Sequence, residues 1–324
     1  MTRSMTKYLA TAGLAFATAV SFGTAWSQTY PERALRIIHG GGAGGNADLM
    51  SRSAAGPLGE RLGQSVVVEA RPGGGQNIAM AAVAGSAPDG YTLATLNAGV
   101  SVQAALNSKL SYDLRRDLVP VGMLSSFPVV FVVGADSPYK DIQSLIEAAR
   151  QKPGTLTFGA IGGTTQHLTG ELFANTADIR WTNVPYTGSA GPLTDLIGGR
   201  LDVVVDSLTA LMGQIQSGQV RALAVSSAER WPTLPNVPAL SETLPGFDVT
   251  SWTGLAVPAA TPAAVRERLE RELAEIVKTP AFASQVRQYG SEPYSLGAAD
   301  MKAFIDREVD RWNHVARDAN IALN

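Results

Sequence analysis

The chain has 324 residues, with 26 Lys and Arg against 28 Asp and Glu, and no cysteine. Because the charges nearly balance and no cluster of basic residues forms a stripe, nucleic acid is excluded as an expected partner. The lack of cysteine excludes both a disulfide framework and lipid attachment at a cysteine.

The first 27 residues resemble a secretory signal peptide. Arg3 and Lys7 give a basic start, residues 8–23 are apolar and mostly small, and Ala25 and Ser27 suit a cleavage site before Gln28. The apolar stretch is too short to span a bilayer. We therefore expect export to the periplasm, cleavage between residues 27 and 28, and a mature chain long enough for two domains.

Strand and helix signals alternate along the mature chain. Short β-branched runs predict strands at 35–39, 65–69, 91–96, 129–133, 155–158, 202–206 and 222–226. Helical patterns fall at 48–62, 77–85, 142–150, 167–174, 190–198 and 209–217, and two long charged helices at 262–278 and 298–319. Continuous apolar strands between amphipathic helices predict an α/β fold with mostly parallel sheets flanked by helices.

The chain is predicted to pass from one lobe to the other twice, near residues 125–128 and near residues 247–252. These two chain crossings divide the predicted elements into two lobes. Lobe 1 is predicted to contain residues 28–127 together with the C-terminal helices at 250–324. Lobe 2 is predicted to contain residues 128–249.

A glycine-rich loop, residues 39–48 (HGGGAGGNAD), follows the first predicted strand and opens a helix. Glycines allow close backbone approach, and a helix N-terminus carries partial positive charge. The loop therefore predicts an anion site, without distinguishing phosphate from carboxylate. Its candidate ligand-binding residues are His39, Gly41, Gly44, Gly45, Asn46 and Asp48.

A second loop of the same design, residues 159–167 (GAIGGTTQH), follows a strand in the middle segment. Its threonines can cap the following helix or donate hydroxyls to a ligand. Two such loops in two lobes favour a ligand between them. The candidates here are Gly163, Thr164, Thr165 and His167, joined by Asn97, Ser101 and Asp206 at or after the ends of other strands, where open α/β sheets bind ligands.

Other chemistries fit the residues less well. Gly40, Gly42 and Gly45 match G-x-G-x-x-G, with Glu69 at the end of the next strand, so a secreted dinucleotide-dependent oxidoreductase is an alternative. Export of an unfolded chain argues against such a cofactor. Since the three histidines show no metal-ligand spacing and no nucleophile elbow is present, we expect no cofactor, no metal and no catalysis.

The order of several segments resembles the Bug/TctC family, the extracytoplasmic solute receptors of tripartite tricarboxylate transporters. The matching segments are 30–31 (YP), 35–38 (LRII), 44–48 (GGNAD), 62–69 (LGQSVVVE), 71–73 (RPG), 87–93 (APDGYTL), 167–173 (HLTGELF), 184–189 (VPYTGS), 195–202 (DLIGGRLD), 221–225 (RALAV) and 234–238 (LPNVP). They cover nearly the whole mature chain.

This resemblance implies a two-lobed periplasmic binding fold of type II, closing like a Venus flytrap on a small organic carboxylate. It places the first glycine loop on one lobe, and Thr164, Thr165, His167, Tyr186 and Asp195 on the other. A bridging water is the physically sensible role for Asp195, since a carboxylate repels an anion. The resemblance also implies a non-enzyme that works with membrane transporter subunits; we expect a monomer.

Two departures from the family pattern bear on the ligand. Residues 40–43 (GGGA) stand where the family has a Pro-Phe-Pro-Pro-like run, and Asn46-Ala47 replaces a hydroxyl pair. Loss of a bulky residue near Gly41 widens the expected cleft, and Asn46 exchanges a hydroxyl for an amide that can donate and accept. Both changes favour an aromatic dicarboxylate such as terephthalate over the alternative, an aliphatic di- or tricarboxylate. Phe127 and Trp252, near the crossings, could stack on an aromatic ring.

Overall fold

The computed structural model describes residues 30–318. The strands are β1 (Leu35–His39), β2 (Val66–Ala70), β3 (Thr92–Asn97), β4 (Leu118–Gly134), β5 (Thr157–Ile161), β6 (Thr182–Tyr186), β7 (Val203–Ser207), β8 (Val220–Val225), β9 (Thr250–Pro258) and β10 (Glu292–Pro293). The helices are α1 (Asn46–Leu62), α2 (Asn77–Ala84), α3 (Ala98–Leu106), α4 (Leu114–Asp117), α5 (Ile142–Gln151), α6 (Thr165–Ala177), α7 (Ala190–Ile197), α8 (Leu208–Gln216), α9 (Ala263–Lys278), α10 (Pro280–Gln288) and α11 (Ala298–Asp318).

Each predicted strand and helix is present, with bounds shifted by a few residues or, for the fourth strand, absorbed into a longer one. The prediction missed α3, α4, β6, β9, α10 and β10, and it found only the second half of β4. β4 is a single strand of 17 residues despite Pro120 and Pro128 within it. Because proline normally ends or borders a strand, the pattern favoured an irregular crossing there.

The sheet is mixed rather than mostly parallel. Its strand order is β2-β1-β3-β9-β4-β7-β5-β6, with β8 and β10 also pairing with β4. The pairs β1–β2, β1–β3, β5–β6 and β5–β7 are parallel. The fold has two halves, one that contains β1 to β3 and one that contains β5 to β8. The long strands β4 and β9 run antiparallel to their neighbours, because they carry the chain between these two halves instead of returning through a helix.

The partners of β4 change halfway along it. Up to Pro128 it pairs with β9, whose first residue Thr250 is opposite Pro128. From Val129 onward it pairs with β7, and from Val130 with β8. The predicted α/β, two-lobed fold class is confirmed. The residues at which β4 changes partners lie beside the predicted lobe boundaries, and the boundaries themselves remain a prediction.

Separate hydrophobic clusters support the two halves. One contains Phe131, Phe158 and Phe173, with Trp181 stacked 4.4 Å from the Phe158 ring. Another contains Leu58 of α1, packed with strand and helix residues of the first half. Full burial of one such side chain is worth about 1.5–3 kcal/mol, so each half offers a rigid base for the loops at its strand ends.

No helix within residues 30–318 is long and apolar enough to cross a membrane. The predicted signal peptide and its cleavage site lie outside the described residues.

Candidate functional site

A cleft of about 280 Å³ lies among loops that follow β1, β2, β3, β5, β6 and β7. Single residues of the long strands β4 and β9, Phe127 and Ser251, complete it at the crossing between the halves. The carboxyl ends of strands from both halves therefore meet at one site, as expected for ligand binding in open α/β sheets. This arrangement makes the cleft the candidate site.

Seven of the predicted residues line this cleft. They are Gly41, Gly45, Asn46, Asn97, Thr164, Thr165 and Tyr186. The other eight do not line it: His39, Gly44, Asp48, Ser101, Gly163, His167, Asp195 and Asp206. Of these eight, Asp195 and Asp206 hydrogen-bond to residues that do, so these two are candidates for holding the lining in place rather than for touching a ligand.

Five helices begin at the cleft without a side-chain cap. The residues at their N-caps are Gly45 for α1, Gln76 for α2, Asn97 for α3, Thr164 for α6 and Ser189 for α7, and none makes a capping hydrogen bond with its side chain. The first N–H groups of a helix lack intrahelical partners and carry partial positive charge. Five such ends converging on one cavity make it suited to an anion.

Among the described residues that line the cleft, none has a charged side chain. Its polar lining consists of hydroxyl groups, amides and backbone. An anion bound here is held by dipoles and hydrogen bonds rather than by ion pairs. Fixed dipoles in a largely enclosed cavity are effective because little water screens them.

His39 and Asp48 lie behind the first loop. Asp48 accepts hydrogen bonds from the Gly44 backbone N–H at 3.0 Å and from Arg52 Nε at 2.8 Å, and it lies 3.3 Å from His39 Nε2. Burial lowers the pKa of His39, against the opposing effect of Asp48. A neutral histidine and a fully paired carboxylate therefore hold the glycine loop in shape without facing the cleft.

Asn46 connects the two halves of the molecule. Its Nδ2 donates to Thr209 Oγ1 at 3.0 Å, and its Oδ1 accepts from Thr253 Oγ1 at 2.5 Å. Thr209 belongs to α8 and Thr253 to β9. Although Asn46 lines the cleft, most of its hydrogen-bonding capacity is used by the protein.

Tyr186 lines the cleft and is held from behind by Asp195. The Tyr186 hydroxyl donates to Asp195 Oδ2 at 2.5 Å, and Arg200 Nε donates to Asp195 Oδ1 at 2.8 Å. These two hydrogen bonds, Tyr186 first, lower the pKa of Asp195, while burial and the Asp195 contact raise the pKa of Tyr186 to about 12. Asp195 thus orients an aromatic ring rather than contacting the cavity.

The second loop contributes its threonines, while its histidine points elsewhere. Thr164 Oγ1 donates to the Ile161 carbonyl at 2.6 Å. His167 Nδ1 instead accepts from the Gly163 backbone N–H at 3.4 Å. Gln103 of α3 donates to the Gly163 carbonyl at 2.5 Å, which ties this loop to the first half of the chain.

Asp206 is buried beside the cleft. Its Oδ1 accepts from the Ser207 backbone N–H at 2.7 Å and from Gln166 Nε2 at 3.4 Å, and burial raises its pKa. Its Oδ2 and the Oγ of Ser101 are buried without a hydrogen-bond partner among the described residues. Asp206 therefore organises Gln166 and Ser207, both of which line the cavity.

One of the two aromatic candidates lines the cleft. Phe127 does so, with only 3% of its surface exposed. Trp252 is buried in the core and packs edge-on against Phe304, with ring centroids 5.7 Å apart, so it does not stack on a ligand. The apolar part of the wall is formed by Phe127, Ile161 and Tyr186.

Sixteen residues that line the cleft were not among the predicted ligand-binding residues. They include Gly73, Gly74, Gly75, Gln76, Gly99, Gly162, Gln166, Thr187, Ser189, Ser207 and Ser251. The loop at 73–76 contains none of the predicted site residues. A strand, a glycine run and a helix follow one another there as in the other two loops, and this shared order was the signal that could have found it.

Dinucleotide and metal sites find no support in the described part of the chain. Glu69, the acidic residue of the G-x-G-x-x-G reading, pairs with Arg71 at 2.7 Å and does not line the cleft. Residues 30–318 contain no group of three or more His, Asp or Glu side chains placed to hold a metal ion.

Comparison with known proteins gives a consistent result. The model of the tripartite tricarboxylate transporter family receptor (TctC) matches residues 50–321. A UPF0065 protein from the tcbD-tcbE intergenic region of Pseudomonas sp. strain P51 is 35% identical, over 97% of this chain and 94% of its own.

Solved structures show the same likeness. R. palustris Rpa4515 with adipate has a TM-score of 0.88 and 33% identity, covering 90% of this chain and 99% of its own. MatC from Rhodopseudomonas palustris with bound malate has a TM-score of 0.83 and 26% identity, covering 88% of this chain and 99% of its own.

Proposed function

Since the chain belongs to the tripartite tricarboxylate transporter receptor family, a family of solute-binding receptors rather than enzymes, we propose that its cleft captures a small organic carboxylate in the periplasm. The observation that carries this proposal is the convergence of five uncapped helix N-termini on one cavity with an uncharged lining. Such a cavity suits an anion stripped of most of its water. The adipate and malate bound by two structural relatives support the same ligand class.

The body of the ligand is proposed to lie against Phe127, Ile161 and Tyr186. A flat aromatic carboxylate, terephthalate being the example, fits an apolar wall of this kind next to an open glycine loop. Adipate is the aliphatic alternative. In the first loop, a Cβ added at Gly42 would meet Gly188 across the cleft at 3.6 Å, so the loop lies close to the opposite half.

Binding is proposed to favour the closed arrangement of the two halves, because only then do the loops of both halves contact the ligand. The loaded receptor would then deliver its ligand to the membrane subunits of a tripartite transporter. If so, uptake of the labelled ligand by cells should be lost when this chain is deleted and return when it is restored.

Isothermal titration and thermal unfolding of the mature protein test the ligand class. The compounds are adipate, malate, terephthalate and benzoate, with adipamide as the uncharged control for adipate and NAD as the control for a dinucleotide site. We expect at least one carboxylate to raise the midpoint of unfolding in proportion to the logarithm of its concentration, while adipamide and NAD do not. Stabilisation by NAD alone would refute the receptor function.

A further inference from the structure

Gln76 has an unfavourable backbone conformation at the edge of the cleft. Its φ is 80° and its ψ is −1°, in the left-handed region. Among residues 30–318 only Gln76 and Asp178 have positive φ without being glycine. Asp178 ends α6, where a short polar side chain tolerates this conformation, whereas glutamine has no such local compensation. Strained residues of this kind concentrate at functional sites.

The side chain of Gln76 forms a reciprocal amide pair with Asn97. Gln76 Nε2 donates to Asn97 Oδ1 and Asn97 Nδ2 donates to Gln76 Oε1, both at 2.9 Å. Both residues line the cleft, and Gln76 is only 8% exposed. Each amide has a second N–H that this pair does not use. The pair therefore presents neutral donors at a wall of the cavity.

Neighbouring glycines leave space for this pair. A Cβ added at Gly99 would come within 2.8 Å of Gln76 Nε2, and one added at Gly40 within 2.5 Å of Gln76 Cβ. The same Gly99 position lies 3.5 Å from Thr164 Cβ, whereas the Gly45 position faces Ser189 Oγ at 3.7 Å. The amide pair therefore lies near the starts of α3 and α6. The starts of α1 and α7 approach each other at a different part of the cleft lining.

We propose that Gln76 is a specificity-determining residue: together with Asn97 it hydrogen-bonds a second, oxygen-bearing group of the ligand, apart from the carboxylate held at the N-termini of α1 and α7. This inference rests on the proposed function. Since the described lining carries no cation, the second group is recognised by hydrogen bonds alone. The ligand then has polar oxygens at two separated positions and an apolar body between them.

Two matched ligand pairs test this assignment by isothermal titration. Adipate and hexanoate share six carbons and differ in the second carboxylate, and terephthalate and benzoate differ in the same way. The wild-type protein should bind the member with two oxygen-bearing groups about tenfold more tightly, the size expected for hydrogen bonds to a charged group. In Gln76→Gly this preference should fall to about twofold or less, while affinity for the single carboxylate changes little.

Stability of the unliganded variants separates this role from a structural one. Because glycine adopts a φ of 80° without strain, Gln76→Gly should unfold at the wild-type temperature or above it. Gln76→Asn keeps an amide and tolerates positive φ, but it is one methylene shorter and cannot reach Asn97 in the same way. It should show the same loss of preference, and it serves as the second variant.

The outcomes are distinct. Variants that keep the wild-type preference, or that lose both members of a pair equally, overturn the role of Gln76 while leaving the receptor function intact. A wild-type protein that prefers hexanoate or benzoate does the same. A wild-type protein that binds none of the carboxylates overturns the proposed function and this inference together.

Discussion

Asn46 gives the most quantitative prediction, because its side chain contacts both halves of the molecule. Replacement by alanine removes the bonds to Thr209 and Thr253, each worth about 0.5–1.5 kcal/mol, so we expect the free energy of unfolding to fall by about 1–3 kcal/mol. Thr253 is fully buried and loses its partner, whereas Thr209 keeps a hydrogen bond to Ser291 at 2.9 Å. Most of the loss should therefore arise at Thr253.

The same variant should weaken ligand binding. Of the two bonds, the one to Thr209 joins residues on opposite sides of the β4 crossing, so its loss favours the open arrangement. A bond worth about 1 kcal/mol corresponds to about fivefold weaker affinity. Urea unfolding measures the first effect and titration with adipate or terephthalate the second.

A matched control is Asn236→Ala, at an exposed position, which should stay within about 0.5 kcal/mol of the wild type. If Asn46→Ala is as stable as this control and binds as tightly as it does, the connecting role of Asn46 is refuted. Asn46→Asp keeps an acceptor for Thr253 but puts a negative charge into the cleft, so it should bind carboxylates more weakly than Asn46→Ala. Equal or tighter binding would contradict an anion site.

Three further predictions address the cleft and its supports. Gly45→Ala places a Cβ 3.2 Å from the Gly42 carbonyl oxygen, so the carboxylate affinity measured by titration should fall. The control is Gly56→Ala within α1, which has open space around it and should leave the affinity unchanged. Equal affinities of the two variants would argue against close contact at Gly45. The pKa of Asp195 lies below its ordinary 3.8, so the stabilising effect of this carboxylate is complete above pH 3.8 and is lost as the pH falls through the lower value. Asp195→Asn should therefore reduce the free energy of unfolding, measured with urea, at neutral pH but not in strong acid. An equal reduction at both pH values would refute the link between the Asp195 charge and stability. The pKa of Asp206 is raised by burial, so stability declines as the pH rises above the ordinary 3.8 towards the raised value. Asp206→Asn should flatten this decline in the same assay, and an unchanged slope would count against it.

Local patterns were sufficient for most of the elements and for two of the loops that build the cleft. Alternation of β-branched runs with amphipathic helices predicted most strands and helices, and the glycine loops after β1 and β5 predicted an anion site. Gly45 and Thr164 indeed stand at uncapped helix starts that line the cleft. This works because strand, turn and helix signals depend on neighbours within a few residues.

Which side chains reach the cavity did not follow from the sequence. Asp195 and His39 carry suitable groups at suitable places in the chain, but one is turned towards Tyr186 and Arg200 and the other lies behind the glycine loop. Conversely, Gln76 lines the cavity but was not among the predicted site residues. The direction of each side chain depends on partners from 9 to more than 20 residues away, as with Tyr186 and Asp195 or Gln76 and Asn97.

By itself, the sequence determined an α/β chain with glycine-rich loops at strand ends, and the order of its segments identified the receptor family. Only the tertiary structure decided that β4 continues as one strand through both halves, that β9 returns beside it, and that five helix N-termini meet where these strands cross between the halves. The physical reason is the range of the interactions. Propensity and turn geometry act along the chain, whereas sheet pairing, burial and the meeting of helix ends depend on residues far apart in sequence.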